Sequence, residues 1–371
     1  MIYADNAATT KLDSDAFEAM YSYLMDQYAN ASQLYSFSRG AKSALKEARQ
    51  TIARCIDAEP EEIYFTSGGT ESNNWAIKGS VDPDNLQTII TSEFEHHAVL
   101  YACKRIESWG YPVKYLHPSK DGFVTPEILD SIITDSTKLV SVMMVNNEIG
   151  TIQPIKELCE VAHQHKAFFH TDAVQALGHI DINVRDLNVD MLSCSAHKFN
   201  GPKGIGFLYI KGKTPLLPYV DGGAQEFGMR AGTENIASII GMAVALSKSV
   251  ATINNTCVHL RKLEQIILQR LFSAGVDFIR NGAEPYNPGN LSLSFKGVEG
   301  EMLLHRLDLM GIMVSTGSAC DSKKTQISHV LRAIKADEKY ARGTIRISLG
   351  RDNTSDEAVK IAEALIKLLI G

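Results

Sequence analysis

The chain has six cysteines in 371 residues (Cys55, Cys103, Cys159, Cys194, Cys257 and Cys320), and no two stand in a CxxC pair. So wide a scatter reads as reduced thiols of a cytoplasmic protein rather than as a disulfide framework. There is no long basic run, and the net charge is -6, which argues against a general nucleic-acid binder. The opening "MIYADNAATT" lacks a basic stretch followed by an apolar one, so no signal peptide is expected. No apolar run approaches the length of a membrane span; "IASIIGMAVAL" is about the longest, and serine and glycine interrupt it. Internal repeats and low-complexity tracts are absent as well. What remains is ordinary for a globular protein with a sizeable core: 44% hydrophobic and 22% charged residues. The length suggests one large domain and a smaller one.

What the sequence does have is a recurring form: a short apolar run, a polar cluster, then a helical pattern. "EEIYFTSGGTESNN", "LQTIITSEFEHHAV", "KLVSVMMVNNEIG", "AFFHTDAVQALG" and "VDMLSCSAHKFNG" all follow it. Between them, residues 38–56 place Ala41, Ala44, Leu45, Ala48 and Ile52 at helical spacing. Strands alternating with helices predict an α/β fold with a mostly parallel sheet, in which ligands gather beyond the carboxyl ends of the strands. All five polar clusters fall at such ends. After about residue 250 the texture changes to a helix ("NNTCVHLRKLEQIILQRLFSAG"), two alternating strands ("NLSLSFKG", "TIRISLG") and a last helix opened by Thr354 and Glu357 in a capping-box pattern. This predicts a large domain over 13–254 and a smaller α+β domain made of residues 1–12 and 255–371, which carries the Cys320 loop.

Each cluster has a chemical reading beside a plain one. In "FTSGGTES", Gly69 and Thr70 are candidate phosphate ligands at a helix start, although a glycine pair alone reads as an ordinary strand-to-helix turn. No Gly-Lys-Ser/Thr follows, so it is not a Walker loop. Asp172 ends an apolar strand, where a carboxylate needs a cationic or hydrogen-bonding partner. A protonated pyridine nitrogen would serve, as would a buried ion pair or a helix cap. His96 could stack on a flat ring or move protons. A zinc site from His96, His97, His170 and Asp172 is the rival, weakened because adjacent histidines in an extended segment face opposite ways. Lys198, just beyond a buried strand, is placed for the desolvation that a Schiff-base lysine needs. Lys203 follows Gly201-Pro202 and reads as a turn residue or anion contact. Cys320 sits among small residues with two lysines beyond it, suited to a reactive thiolate on a mobile loop. The other five cysteines read as buried small hydrophobes.

In this order, and with "YADNAATT", "TSGGTESNN", "EHHAV", "VNNEIGTIQP", "TDAVQ", "SAHKFNGPKGIG", "GMRAGTEN", "GSAC" and "IRISLGR" running nearly end to end, the sequence resembles the NifS/IscS-type cysteine desulfurases. These are class V aminotransferases, of the fold-type I group that uses pyridoxal 5'-phosphate (PLP). The resemblance implies a large domain with a mostly parallel seven-stranded sheet flanked by helices, plus a smaller α+β domain. It implies that Lys198 anchors the cofactor, Asp172 pairs the pyridine nitrogen and His96 stacks on the ring. Asn147 and Gln175 would bracket ring and substrate, with Gln175 near the phenolic oxygen. Gly69, Thr70, Ser195 and His197 would hold the phosphate, with Thr233 reaching in from the partner subunit of a homodimer. Arg346 would clamp the carboxylate of the substrate L-cysteine. Cys320 would take the sulfur as a persulfide and release alanine, the sulfur passing to an acceptor protein for iron–sulfur cluster, thio-cofactor or tRNA biosynthesis. "GSAC" points to the NifS/IscS branch rather than the SufS branch.

The chain also departs from that pattern. "NASQLY" puts Ala31 and Tyr35 where the relatives have proline and histidine, "DSKKTQISHVL" lacks the usual proline before Ser-His, and the end is shorter than in IscS proteins. Selenocysteine lyase or another PLP-dependent β-elimination is the neighbouring alternative. A metal-dependent hydrolase and a non-catalytic sulfur carrier are the more distant ones.

Overall fold

A computed structural model describes residues 1–317 and 327–371. Its strands are β1 (Ile2–Tyr3), β2 (Ile63–Thr66), β3 (Thr88–Ser92), β4 (Val113–Leu116), β5 (Thr137–Ser141), β6 (Phe168–Asp172), β7 (Met191–Ser195), β8 (Gly206–Ile210), β9 (Phe278–Arg280), β10 (Asn290–Phe295), β11 (Ile312–Met313) and β12 (Thr344–Ser348). Its α-helices are α1 (Ser14–Met25), α2 (Ser38–Cys55), α3 (Gly69–Lys78), α4 (His97–Glu107), α5 (Pro126–Asp130), α6 (Ile155–Gln164), α7 (Val184–Leu187), α8 (Ile236–Ser273), α9 (Gly300–Leu309), α10 (His329–Ala333), α11 (Glu338–Ala341) and α12 (Ser355–Leu369).

Seven strands form the main sheet in the order β2-β8-β7-β6-β5-β3-β4. Only β8 runs against its neighbours. Both faces of this sheet are covered, and the pleat sends consecutive residues to opposite sides. Ile90, Val140, Leu192 and Phe207 enter one core, while Ile89, Leu139, Met191 and Leu208 enter the other. Near-continuous apolar strands are the result, as the sequence reading expected. Because β2, β3, β5, β6 and β7 all run the same way, their polar ends meet along one edge.

A third core draws on Ile2 and Ala4, on the second half of α8 (Leu260, Leu263, Ile267, Leu271), and on β10, β12 and α12. Here β10 pairs antiparallel with β12 and β9, and β1 pairs with β11. Thr354 and Glu357 form the capping box reciprocally at the start of α12. The expected boundary after residue 254 falls inside one continuous helix, since α8 runs 38 residues and serves the first core with Ile239, Met242 and Leu246 before reaching the third. This helix also corrects the reading of "IASIIGMAVAL": by length and composition α8 could cross a membrane. Instead, fifteen of its residues are buried inside the fold.

Candidate active site

The strand-end clusters converge on a cleft of about 380 Å³, a size suited to a small organic ligand. Gly69, Thr70, His96, Asn147, Asp172, Gln175, Ser195, His197, Lys198 and Arg346 all line it. Between β2 and α3 the chain turns on Gly68 at φ 146, and no side chain caps the helix. The first N–H groups of α3 are therefore left for an anion, aided by the helix dipole. Ser195 ends β7 on the same side, and His197 follows in the turn Ala196–Lys198. Burial, with Lys198 and Lys203 adding, pushes the His197 imidazole down to about 4. It is neutral at pH 7 and bonded to Thr9 Oγ1 at 3.2 Å.

Asp172 is only 4% exposed. Its Oδ2 accepts from Asn73 Nδ2 at 2.6 Å, and its Oδ1 from the Val174 amide at 2.9 Å. Among the described residues no cation forms a salt bridge with it, which removes the buried ion pair offered as the plain reading. Lys198 Nζ donates to the carbonyls of Ala7 and Ala8 at 2.6 and 2.9 Å. His96 caps α4, its Nδ1 accepting from the Ala98 amide at 3.1 Å. That bond assigns the ring proton to Nε2. Burial lowers the His96 pKa, Lys198 and His97 adding to the effect and Asp172 opposing it.

The histidine pair differs from expectation. The chain is not extended through it, because α4 begins at His97. His96 and His97 consequently both line the cleft, their ring centroids 6.3 Å apart. His97 stacks on Tyr101 at 5.1 Å and lies 4.8 Å from His329. His170 does not join them. It is fully buried within the sheet, with Nδ1 on Ser141 Oγ and Nε2 on Ser193 Oγ, and burial takes its pKa down to about 3. Both ring nitrogens are thus engaged, and the zinc set loses a ligand.

Arg346 on β12 is already held at two points: Nη1 donates to the Asn147 carbonyl and Nη2 to Asp5 Oδ1, both at 2.8 Å. The Gln175 amide Nε2 donates to the Ala7 carbonyl at 2.9 Å. Lys203 is exposed and lines a neighbouring hollow of about 300 Å³ with Gly68, Gly69 and Thr70, on the outer side of the glycine turn. Thr233 is not brought to the cleft within this chain; it lines a separate cavity of about 140 Å³. Cys320 lies outside the described residues. Of the other cysteines, Cys103, Cys159 and Cys194 are buried, whereas Cys55 and Cys257 are partly exposed. Ala31 is buried and Tyr35 exposed, and neither lines the cleft.

Sequence reasoning quoted the N-terminal strap, "YADNAATT", as a motif but gave it no part in the site. Asp5, Ala7 and Ala8 close one wall of the cleft, the two alanines through backbone carbonyls that no residue pattern reports. It also missed Asn73, although "TESNN" contains it; only the α3 register shows that Asn73 faces Asp172.

A family model, Aminotransferase class-V, matches residues 2–361. The chain belongs to the class-V aminotransferase family. Among relatives, it is 43% identical over 370 residues to "Cysteine desulfurase IscS" of Methanosarcina thermophila, covering 99% of this chain and 92% of that one. It is 44% identical over 371 residues to "Cysteine desulfurase IscS" of Dictyoglomus turgidum, covering 99% and 94%. A solved structure of a NifS-like protein superposes with TM-score 0.94 at 35% identity, covering 100% of this chain and 99% of that one. The structure of SspA in complex with cysteine superposes with TM-score 0.84, also at 35% identity, covering 95% and 100%. The expected α/β architecture is therefore the architecture of NifS-like proteins.

Proposed function

We propose that this protein is a PLP-dependent cysteine desulfurase. It takes sulfur from L-cysteine onto Cys320 and releases L-alanine. The observation that carries this reading is the meeting of Lys198, Asp172, His96 and the uncapped start of α3 around one cleft. The residues fit the cofactor on chemical grounds. Asp172 is a buried carboxylate bonded only to neutral donors, and the Oδ1 of its partner Asn73 is buried without a hydrogen bond. That environment suits a protonated ring nitrogen. The α3 N–H groups, Ser195 and the neutral His197 suit a phosphate dianion. When bound, PLP supplies an electron sink for charge developing on the substrate carbon.

This chain's own residues do the rest. Lys198 would anchor the cofactor through its Nζ, and the same amine is placed to hold or move a proton at the substrate carbon. Neutral His96 presents its ring as a flat stacking surface. Arg346 draws in the substrate carboxylate, while Asn147 and Gln175 set the plane beside it. The Cys320 thiolate attacks the substrate sulfur: the S–S bond forms, the substrate C–S bond breaks, and the carbon gains a proton to become alanine. Cysteine and enzyme thiol thus become alanine and enzyme persulfide, with no outside oxidant. We further propose a homodimer in which Thr233 reaches the partner's phosphate, and a protein acceptor for the sulfur.

Visible absorbance of the purified protein tests the assignment. The protein should carry a PLP band that Lys198→Ala abolishes. Cys320→Ala should keep the band and lose persulfide formation. Full desulfuration by Cys320→Ala would remove that residue from its role. Release of sulfide with pyruvate would move the reaction to a β-elimination.

A further inference from the structure

The loop bearing Thr233 is latched to the fold by an unusual pair. Arg49 on α2 and Glu226 are 9% and 7% exposed, and they join by two bonds, Nη2 to Oε1 at 2.7 Å and Nη1 to Oε2 at 2.8 Å. The pair also grips the backbone of β2. Arg49 Nη1 donates to the Ile63 carbonyl, and the Phe65 amide donates to Glu226 Oε2 at 2.8 Å. Since β2 is an edge strand with β8 on its other side, these are its outward-facing groups. An ion pair thus stands where another strand would otherwise pair. Arg49 lies between the rings of Phe65 and Phe227, at 4.4 and 5.2 Å.

The latch holds the backbone in a conformation it would not adopt freely. Glu226, Phe227 and Gly228 are consecutive left-handed residues, at φ 46, 58 and 80. Two of them carry side chains, and such runs persist only where surroundings over-determine them. A second tie follows four residues on: Arg230 bonds Glu71 in the first turn of α3 through Nε at 2.8 Å and Nη2 at 3.1 Å. Glu71 in turn accepts from the Ser67 amide at 2.8 Å, within the glycine turn itself. Immediately beyond these ties stands Thr233, exposed. An edge strand needs covering, but covering alone does not require the second tie or a strained turn.

We propose that Arg49 and Glu226 are positioning residues for Thr233. By docking the loop on the edge of β2, they fix the pose in which a second copy of this chain uses that threonine. The inference rests on the reading above that Thr233 contacts the partner's cofactor phosphate.

The test is a double-mutant cycle on the PLP dissociation constant of the full-length protein, with Glu226→Gln, Thr233→Val and the two together. Each single change should weaken PLP binding about tenfold, and the double should bind no more weakly than Thr233→Val alone, because Glu226 acts through Thr233. Losses that add would overturn the proposal, since a purely structural latch would give them. An unchanged constant in Glu226→Gln beside a weakened one in Thr233→Val would overturn it too. An unchanged constant in Thr233→Val would overturn the underlying reading as well. Should Glu226→Gln fail to fold, Arg49→Lys keeps the buried charge but loses the two-pronged bond to Glu226, and runs in the same cycle.

Discussion

Asp13 caps α1 through Oδ1, bonding the amides of Asp15 and Ala16, and it also pairs with Lys248 of α8 and with Arg351. Burial acts to raise its pKa, but the two cations and the Asp15 amide outweigh this and hold the carboxyl at about 2. A depressed carboxylate contributes stability that is complete above its unfolded pKa of 3.8 and lost as pH falls towards 2. Asp13→Asn keeps a good helix cap and removes only the charge. It should cost about 2 kcal/mol at pH 7 by urea unfolding, with the difference vanishing near pH 2. Glu95 is the opposite case. Burial raises its carboxyl to about 8, with the Ser92 hydroxyl and the Met143 amide opposing. The folded protein thus holds a proton that the unfolded chain loses near pH 4.5, and this group's contribution falls as pH rises between those values. Glu95→Gln should gain stability relative to the parent steadily from pH 5 to pH 8. A constant difference across that range would show that Glu95 is ionised in the fold. Neither residue was singled out from the sequence: an aspartate or glutamate announces its type, but not its burial or the partners the fold brings to it, such as Lys248 and Arg351 to Asp13.

At the scale of elements, the strand ends were the legible part. Asp172 and Ser195 are the last residues of β6 and β7, and Lys198 follows three positions later, as the apolar runs implied. Period-2 and period-3.6 patterns report where a segment ends and which residues follow, so they located the site. They could not report that α4 starts at His97, bringing both histidines inward, or that α8 is one rod spanning two cores. Nor could they explain "GPKGIGF", whose last glycine has an element-scale reason. A Cβ on Gly206 would stand 2.3 Å from the Cys194 carbonyl oxygen and 2.8 Å from Gly68 Cα. Strand β8 must be bare there so that the glycine turn before α3 can cross it. Gly206→Ala should therefore lower stability by about 1–3 kcal/mol and weaken PLP binding together. Lost stability with unchanged affinity would separate the turn from the phosphate. Thr354→Ala, at the capping box of α12, should cost about 1 kcal/mol without altering PLP affinity.

For the whole molecule, nine motifs in order, a family model across residues 2–361 and a TM-score of 0.94 point the same way. Much of the surface of α1 and the segment after it remains apolar and exposed, including Phe17, Leu24, Tyr28 and Leu34. Such a face suits the second copy of the proposed homodimer. Sequence patterns marked the residues proposed to react, whereas ties such as Asp5 to Arg346 and Arg49 to Glu226 join distant segments and emerge only from the fold. In the proposed reaction sulfur passes from L-cysteine to Cys320 on a protein carrying PLP at Lys198. A single turnover with L-cysteine, quenched and read by peptide mass spectrometry beside an alanine assay, tests it most directly. One sulfur atom added to the Cys320 peptide, matched by one alanine per site, is the predicted result. Alanine without that added sulfur, or sulfur on another cysteine, would contradict it.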